Sequence, residues 1–160
     1  MEAGTYVVGR PSGPPANITG AALAVSGIRA SNKVDDAHTA ATLGGTASVA
    51  ARGSDTVRVT GTGSGTFADK NVGTAKAVTV SGYTLSGVDA GNYVVVQPSG
   101  LTANITAAAL AVSGISASNK VYDATTAATL SGTASVAALG RATVSVTGTG
   151  RGTSADNNVG

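Results

Sequence analysis

The sequence contains no cysteine and no tryptophan, and its 160 residues include one phenylalanine, four tyrosines and one histidine. The absence of cysteine excludes disulfide scaffolds, thiolate metal sites and cysteine nucleophiles. The scarcity of aromatic rings excludes a groove that stacks the bases of single-stranded nucleic acid. Small side chains take their place, because Ala, Gly, Thr and Ser together make up more than half of the chain.

Charge is also sparse. Ten Lys and Arg residues stand against eight Asp and Glu residues, which gives a net charge of +2 without any basic cluster. Because phosphate binding needs locally dense cations, we expect no nucleic-acid partner. No apolar run approaches the roughly 18 residues that a membrane span requires, so we expect no membrane-spanning segment either.

The chain is dominated by an internal repeat. The segment Ala21–Ile28 recurs as Ala108–Ile115, an offset of 87 residues. Without any gap, residues 1–73 align with residues 88–160, with 54 identities and 19 differences. Two copies this similar are expected to share one fold.

The repeat boundaries follow each Asn-Ile-Thr triplet. We therefore predict three parts: residues 1–20 as the tail of a preceding repeat, residues 21–107 as one complete repeat, and residues 108–160 as a second repeat that is shortened at its C-terminal end. The part expected to be absent from the second repeat corresponds to residues 74–107.

The residue pattern favours strands. Apolar and polar residues alternate in several short stretches that are rich in Thr and Val, and Gly, Ser, Asn and Asp separate these stretches. The apolar positions of the alternating stretches are Leu23, Val25, Val57, Val59, Val78, Val80, Leu101, Ala103 and Ile105. After Val80 we expect a bulge at Gly82. The bulge shifts the alternation by one residue, so that Tyr83 and Leu85 become the residues that face the core.

The predicted fold is therefore all-β, with an immunoglobulin-like β-sandwich for each repeat. The alternative is a β-grasp-like sheet with one short helix. The only stretch expected to hold a helical turn is Ala40–Gly44, because its alanines favour helix locally.

Differences between the copies test this pattern. Arg58, on the predicted polar face, becomes Ser145, whereas Val57 and Val59 persist as Val144 and Val146. Two differences instead remove an aromatic ring from one copy, because Phe67 corresponds to Ser154, and Tyr122 corresponds to Asp35. Each copy is therefore expected to be less stable than one that kept both rings.

Asp35, Asp36 and His38 form the only group that brings the single histidine near carboxylates. Such a group suits acid–base chemistry, a metal site or a carbohydrate-acting or carbohydrate-binding module. The second copy has Tyr122 and Thr125 at two of these positions, so the shared fold does not need them. The alternative is a solvated loop histidine, and no catalytic residue is assigned.

A second polar motif has the D-x-N-x-G spacing of a cation-binding turn. It is formed by Asp69 and Asn71, and again by Asp156 and Asn158. Carboxylate and amide oxygens are calcium ligands, so these four residues are candidates for a calcium site, although calcium loops use more oxygen ligands. The alternative is that Asp and Asn only hydrogen-bond their own turn. No other cofactor is expected.

Three separated motifs resemble the YDG repeat. They are Lys120–Thr126, Ala68–Gly73 and Asp89–Tyr93, and the resemblance covers essentially the whole chain. The glycine of Tyr-Asp-Gly is Ala124 here, and the first copy has Asp35, Asp36 and Ala37 at the same three positions. If that turn needs a positive φ, alanine costs about 1 kcal/mol.

The resemblance implies a β-rich stalk or adhesive module of the kind strung together in bacterial surface and secreted proteins of the filamentous-haemagglutinin type. It implies a secreted or cell-surface location and supplies no catalytic residue. A glycan or other surface ligand is the expected partner.

The shortened repeat suggests a further partner. Exposed strand edges recruit other strands. Residues 1–20 nearly match part of the absent piece, including Tyr6–Val8 and Ala16–Thr19. We therefore expect residues 1–20 to add to residues 108–160 by strand addition.

Overall fold

The computed structural model describes residues 13 and 15–159, and within them it is built from strands. The strands of the first repeat are β1 (Ala21–Ala24), β2 (Ser26–Ala30), β3 (Lys33–Val34), β4 (Ala40–Ala41), β5 (Leu43–Ser48), β6 (Arg58–Thr60), β7 (Ser64–Phe67), β8 (Gly73–Ser81), β9 (Thr84–Ser86), β10 (Tyr93–Val96) and β11 (Leu101–Thr106). Those of the second repeat are β12 (Val112–Ala117), β13 (Ala127–Ala128), β14 (Leu130–Val136) and β15 (Gly152–Thr153). The predicted all-β class is confirmed.

The first repeat is organised around a five-stranded sheet with the order β3-β11-β8-β7-β4. Strand β8 runs antiparallel to β7 and β11, and β11 runs parallel to β3 on its other side. Three two-stranded ladders accompany this sheet: β1 with β10, β2 with β5, and β6 with β9. The last strand of the repeat is therefore an interior strand, hydrogen-bonded on both sides.

The core lies on one face of the five-stranded sheet. Its buried members are Phe67, Val78, Val80, Ala103 and Ile105. Phe67 and Ile105 are the largest fully buried side chains, with 2% and 1% exposure. These residues come from β7, β8 and β11, so each of the three central strands contributes to the same apolar layer.

The predicted alternation is confirmed. In β8, Val78 and Val80 are buried while Thr79 and Ser81 are exposed. The same alternation places Val57, Val59, Tyr83 and Leu85 at half-buried positions. Alternation arises because successive side chains of a strand point to opposite faces.

Gly82 lies where the chain leaves the five-stranded sheet. Its φ is +96°, and a Cβ atom built there would lie 2.2 Å from the Thr62 carbonyl oxygen. Strand β8 pairs with β7, whereas β9 pairs with β6, so the chain changes partner at this glycine. The expected irregularity at Gly82 thus moves the chain between sheets, and only glycine fits that close approach.

The helical turn expected at Ala40–Gly44 is wrong. Ala40 and Ala41 form β4 against β7, and β5 begins at Leu43. The helical element of the described residues is instead a 3-10 turn at Ala90–Asn92. The pairing with β7 overrides the weak helix propensity of the two alanines. None of the described residues forms a helix long and apolar enough to cross a membrane.

The second repeat keeps two of the ladders. Strands β12 and β14 pair as β2 and β5 do, and β13 pairs with β15 as β4 pairs with β7. The counterparts of β1, β3 and β6 are not strands, and in the first repeat their partners are β10, β11 and β9. All three partners fall within residues 74–107. Segments of nearly identical sequence therefore form strands only where the described residues supply a partner strand.

The turn that resembles Tyr-Asp-Gly has the left-handed conformation in both repeats. Ala37 has a φ of +64° and Ala124 has a φ of +58°. Alanine rarely adopts this conformation because its Cβ atom crowds the following carbonyl oxygen, which costs about 1–2 kcal/mol. This left-handed conformation explains why the Tyr-Asp-Gly motif has glycine at its third position. The alanine at that position is strained in both repeats.

We predict that Ala37→Gly raises the free energy of unfolding by about 1 kcal/mol, because glycine adopts a positive φ freely. Chemical denaturation of the whole chain measures this change. Ala40→Gly, in an exposed strand position, is the matched control and should lower the free energy by about 0.5–1 kcal/mol. Equal destabilisation by both substitutions would contradict the strained turn.

Candidate functional site

A lysine organises the turn that contains the predicted acidic group. The Lys33 ammonium donates to Asp36 Oδ1 at 2.6 Å, to the His38 carbonyl oxygen at 2.7 Å and to the Ala40 carbonyl oxygen at 3.1 Å. It also lies 5.8 Å from the centre of the Phe67 ring. One side chain therefore joins β3, the turn and the beginning of β4.

The structure brings Asp35, Asp36 and His38 together, but the turn uses both carboxylates. Asp35 Oδ1 accepts the Ala37 amide at 2.8 Å, and Asp36 Oδ1 accepts the His38 amide at 3.0 Å. The Lys33 ammonium and the His38 amide lower the pKa of Asp36. The His38 ring is 75% exposed. These contacts build a turn and do not aim two free acids at one substrate position.

The second repeat builds the same turn. The Lys120 ammonium donates to Asp123 Oδ1 at 2.8 Å and to the Thr125 carbonyl oxygen at 2.7 Å. Asp123 Oδ1 also accepts the Thr125 hydroxyl at 2.8 Å and the Thr125 amide at 3.0 Å. Hydrogen bonds from Lys120 and Thr125 lower the pKa of Asp123 from 3.8 to about 2. Thr125 thus takes the place of His38 without loss of the turn.

The two candidate calcium turns are also hydrogen-bonded internally. Asp69 Oδ1 accepts the Asn71 amide at 2.8 Å and a hydrogen bond from the Lys76 ammonium. These two donors, with Lys76 first, lower the pKa of Asp69. Asp156 Oδ1 accepts the Asn158 amide at 3.0 Å. The calcium site stays a prediction, and the cation seen at Asp69 is a lysine of the same chain.

The Asp89–Tyr93 motif is hydrogen-bonded to the loop that precedes β6. Asp89 Oδ2 accepts the Thr56 amide at 2.7 Å. The Tyr93 hydroxyl donates to Asp55 Oδ2 at 2.7 Å and accepts the Arg52 amide at 3.0 Å. The Asp55 carboxylate raises the pKa of Tyr93. These polar side chains tie the loop before β6 to β10.

The two predicted polar motifs meet at one cavity in the second repeat. Its volume is about 550 Å³, and Lys120, Tyr122, Ser154, Asp156 and Asn158 are among the residues that line it. The cavity therefore joins the Lys-x-x-Asp turn to the D-x-N turn, although 32 residues, 124–155, lie between them along the chain.

The matching region of the first repeat is filled. Phe67 stands where the second repeat has Ser154, and its ring packs with Ile105 of β11 and Val78 of β8. Strand β11 lies against Lys33 and Val34, whose counterparts are Lys120 and Val121. The cavity of the second repeat is thus the region that a strand and an aromatic ring occupy in the first.

Two asparagines whose structural role was not predicted from the sequence hold this strand in place. The Asn104 amide donates to Asn32 Oδ1 at 2.8 Å, and the Ala75 amide donates to Asn104 Oδ1 at 2.8 Å. Asn104 lies in β11 between buried Ala103 and buried Ile105. An amide side chain that recurs between alanine and isoleucine, at Asn17 and Asn104, was the available signal in the sequence.

No described strand pairs with Lys120–Val121, and Lys120 lines the cavity together with Asn119. The second repeat therefore differs from the first at this edge, where β11 pairs with Lys33 and Val34.

We predict that the Asp123 carboxyl titrates near pH 2 and that Lys120→Met raises this midpoint towards 3.8. The pKa is lower in the folded than in the unfolded chain. The turn's contribution to stability is therefore complete above about pH 4 and is lost as the pH falls through about 2. Carboxyl NMR titration of the whole chain measures the midpoint.

Arg58→Met is the matched control, because it removes one exposed positive charge from the first repeat. It should leave the Asp123 midpoint in place. A midpoint near 3.8 in the unmodified chain, or equal shifts for both variants, would contradict the Lys120–Asp123 contact.

Comparison with known proteins identifies one family. The YDG domain family matches residues 19–100 and again residues 106–160, which together include both copies of the lysine turn and both D-x-N turns. No curated protein and no solved structure matches the chain significantly. Because the two matches cover most of the sequence, the chain belongs to the YDG domain family.

Proposed function

We propose that this chain is a structural tandem-repeat module of a bacterial secreted or cell-surface adhesin, in which the repeats act as a stalk. The observation that carries this proposal is the way the chain leaves the first repeat. Strand β11 ends at Thr106 as an interior strand of the five-stranded sheet. Five residues, 107–111, then lead to β12, the first strand of the second repeat.

Such a junction transmits force directly from one repeat to the next. A pull on Thr106 acts on a strand that is bonded to β8 and β3, and a pull on Ala21 acts on β1, which is bonded to β10. Both ends of the repeat are therefore held by backbone ladders, and loading a ladder along its strands strains several hydrogen bonds together. Five residues, 107–111, join β11 to β12, so the linker between the strands of the two repeats is short.

The polar strand faces support the adhesive part of the proposal. Thr79 and Ser81 of β8, and Thr84 of β9, are exposed next to buried or half-buried apolar neighbours. Thr and Ser hydroxyls donate and accept hydrogen bonds, which suits the hydroxyl groups of a glycan. A glycan or other surface ligand on these faces, and strand exchange between repeats, are the partners we propose.

The alternative is a carbohydrate-acting enzyme or carbohydrate-binding module that uses Asp35, Asp36 and His38. It remains a prediction from the sequence. No contact in the described residues favours it over the stalk, because both carboxylates are hydrogen-bonded within their own turn.

We predict that the first repeat unfolds in one step when it is pulled at its two ends. Because the chain has no cysteine, Thr19→Cys and Ala107→Cys provide unique handles in the whole chain. The 88 residues from Gly20 to Ala107 extend to close to 300 Å, so single-molecule force spectroscopy should show a length gain of nearly that size.

Ile105→Ala is the companion variant. It truncates a fully buried side chain and should cost about 2–5 kcal/mol, which lowers the unfolding force without changing the length gain. Gradual extension of the unmodified chain, without a force peak, would contradict a mechanical role for the repeat.

A further inference from the structure

We propose that residues 35–38 of the first repeat and residues 139–142 of the second form an inter-repeat contact, which holds neighbouring repeats at a fixed angle and is specific for their order. This inference rests on the proposed stalk function and deepens it, because it names the surface through which one repeat meets the next. We call residues 35–38 the exit turn and residues 139–142 the entry loop.

The exit turn lies where the chain leaves the first repeat. It follows β3, and the Asp35 amide donates to the carbonyl oxygen of Thr106 at 2.8 Å. Thr106 is the last residue of β11, from which the chain continues towards the second repeat. The exit turn therefore begins beside the point at which the linker between the repeats starts.

The entry loop lies at the other end of its own repeat. Its counterpart in the first repeat, residues 52–55, lines a cavity together with Thr19 and Ala21. Ala21 is the first residue of β1, so this loop stands beside the position at which the chain enters the repeat. By the same placement, the entry loop stands where the chain enters the second repeat, on the side of the exit turn.

Both loops have the same backbone structure. The Asp55 amide donates to the Arg52 carbonyl oxygen at 3.1 Å, and the Ala142 amide donates to the Leu139 carbonyl oxygen at 3.1 Å. The entry loop is therefore a turn that the repeat forms by itself, and its position is available for a contact with the preceding repeat.

The exit turn and the entry loop touch. A Cβ atom built at Gly140, within the entry loop, would lie 2.9 Å from the Cβ atom of Ala37 in the exit turn. These two residues are more than 100 positions apart in the sequence. A Cβ atom built at Gly53, the counterpart of Gly140, meets no described atom within 4 Å. The close approach thus comes from the junction of the two repeats and not from the conformation of the loop.

The two elements carry opposite charges. Beside the exit turn, Lys33 pairs with Asp36, so Asp35 leaves one net negative charge there. In the entry loop, Arg141 supplies one positive charge, and no acidic residue accompanies it. Both charges stand within two residues of the contact between the repeats. Opposite charges on touching elements attract each other, which favours this pairing of turn and loop.

The counterparts of the two elements are balanced in charge. In the second repeat Tyr122 replaces Asp35, and Lys120 pairs with Asp123. In the loop of the first repeat, one arginine and one aspartate offset each other. Residues 21–73 and 108–160 differ at 11 of 53 positions, and five of these differences fall within the eight positions of the turn and the loop. The differences between the copies are therefore concentrated at this junction and give it a specific charge pairing.

Disulfide trapping in the whole chain tests the contact. Ala37→Cys combined with Gly140→Cys should close within one chain under mild oxidation, because the two Cβ positions are near enough for a disulfide and the chain has no other cysteine. Gly53→Cys combined with Ala124→Cys is the matched control, since it uses the equivalent positions in the reverse order. All four positions have a φ between +56° and +64°, so both pairs carry similar backbone strain. The control pair should stay reduced in dilute solution.

A second set of variants tests the charge pairing. In the Ala37→Cys, Gly140→Cys background, a glutathione buffer measures the equilibrium between the two thiols and their disulfide. Asp35→Tyr and Arg141→Ser introduce the residues of the other copy, and each should lower this equilibrium constant about two- to fivefold, which is the effect of losing an exposed charge pair. Arg151→Ser is the matched control, because Arg151 is another exposed arginine of the second repeat whose counterpart is serine.

The unmodified chain provides a measurement that needs no substitution. A nuclear Overhauser effect between the Ala37 methyl group and the Gly140 α-protons should be observed, because the two residues are in contact. Its absence overturns the contact, and so does equal linking of the two cysteine pairs. Equal effects of Arg141→Ser and Arg151→Ser overturn the charge pairing.

The outcomes separate this inference from the proposed function. The force measurement on the first repeat uses handles at residues 19 and 107, and its length gain does not include the junction. A force peak without the Ala37–Gly140 contact overturns this inference alone. Gradual extension without a force peak overturns the stalk proposal, whichever cysteine pair closes.

Discussion

The fold of the complete repeat depends on β11, which lies between β3 and β8 and buries Ile105 beside Phe67. This strand comes last in the repeat, so the sheet is complete only after the whole unit is present. Its pairing with β3 joins segments more than 70 residues apart. Closing such a long loop costs conformational entropy, and burial of apolar side chains on β7, β8 and β11 offsets it.

Among the described residues, the second repeat has no counterpart of that strand. Its sequence from Ala108 to Val159 differs little from that of the first repeat, yet none of its residues is among the buried core. Val112 is 57% exposed, whereas its counterpart Val25 is 4% exposed. Local sequence is nearly constant between the two, so the difference lies in tertiary partners. Strand propensity alone does not produce a strand where no ladder partner is available.

Aspartate and asparagine side chains carry out a structural task throughout the chain. Asp36, Asp69, Asp123 and Asp156 each accept the amide two residues further along, which is the Asx-turn geometry. Lysines 33, 76 and 120 then neutralise three of these carboxylates. The acidic groups that resemble catalytic or metal-binding sets in the sequence form these turns in the structure, and the calcium site stays a prediction. In a chain with so few large side chains, these polar contacts fix loops that a larger apolar core would otherwise hold.

Much of the fold could be predicted from the sequence. The features that could not be predicted depend on contacts between residues that are far apart in the sequence. Alternation identified the inward faces of β6, β8 and β11, because side-chain direction in a strand is a local property. The Ala40–Gly44 helix was wrong because the pairing of β4 with β7 is decided by residues more than twenty positions away. The role of Asn104 was missed for the same reason, since its partners Asn32 and Ala75 are remote in sequence. The meeting of Lys120 and Asp156 at one cavity likewise needed the three-dimensional arrangement.

Amide hydrogen exchange of the whole chain in dilute solution tests the central role of β11 most directly. The Asp35 amide, bonded to the Thr106 carbonyl oxygen, should be strongly protected. The amide of its counterpart Tyr122 should exchange at least a hundredfold faster, because none of the described strands pairs with it. Equal protection of these two amides would contradict the account, since it would mean that protection at this position does not depend on pairing with β11.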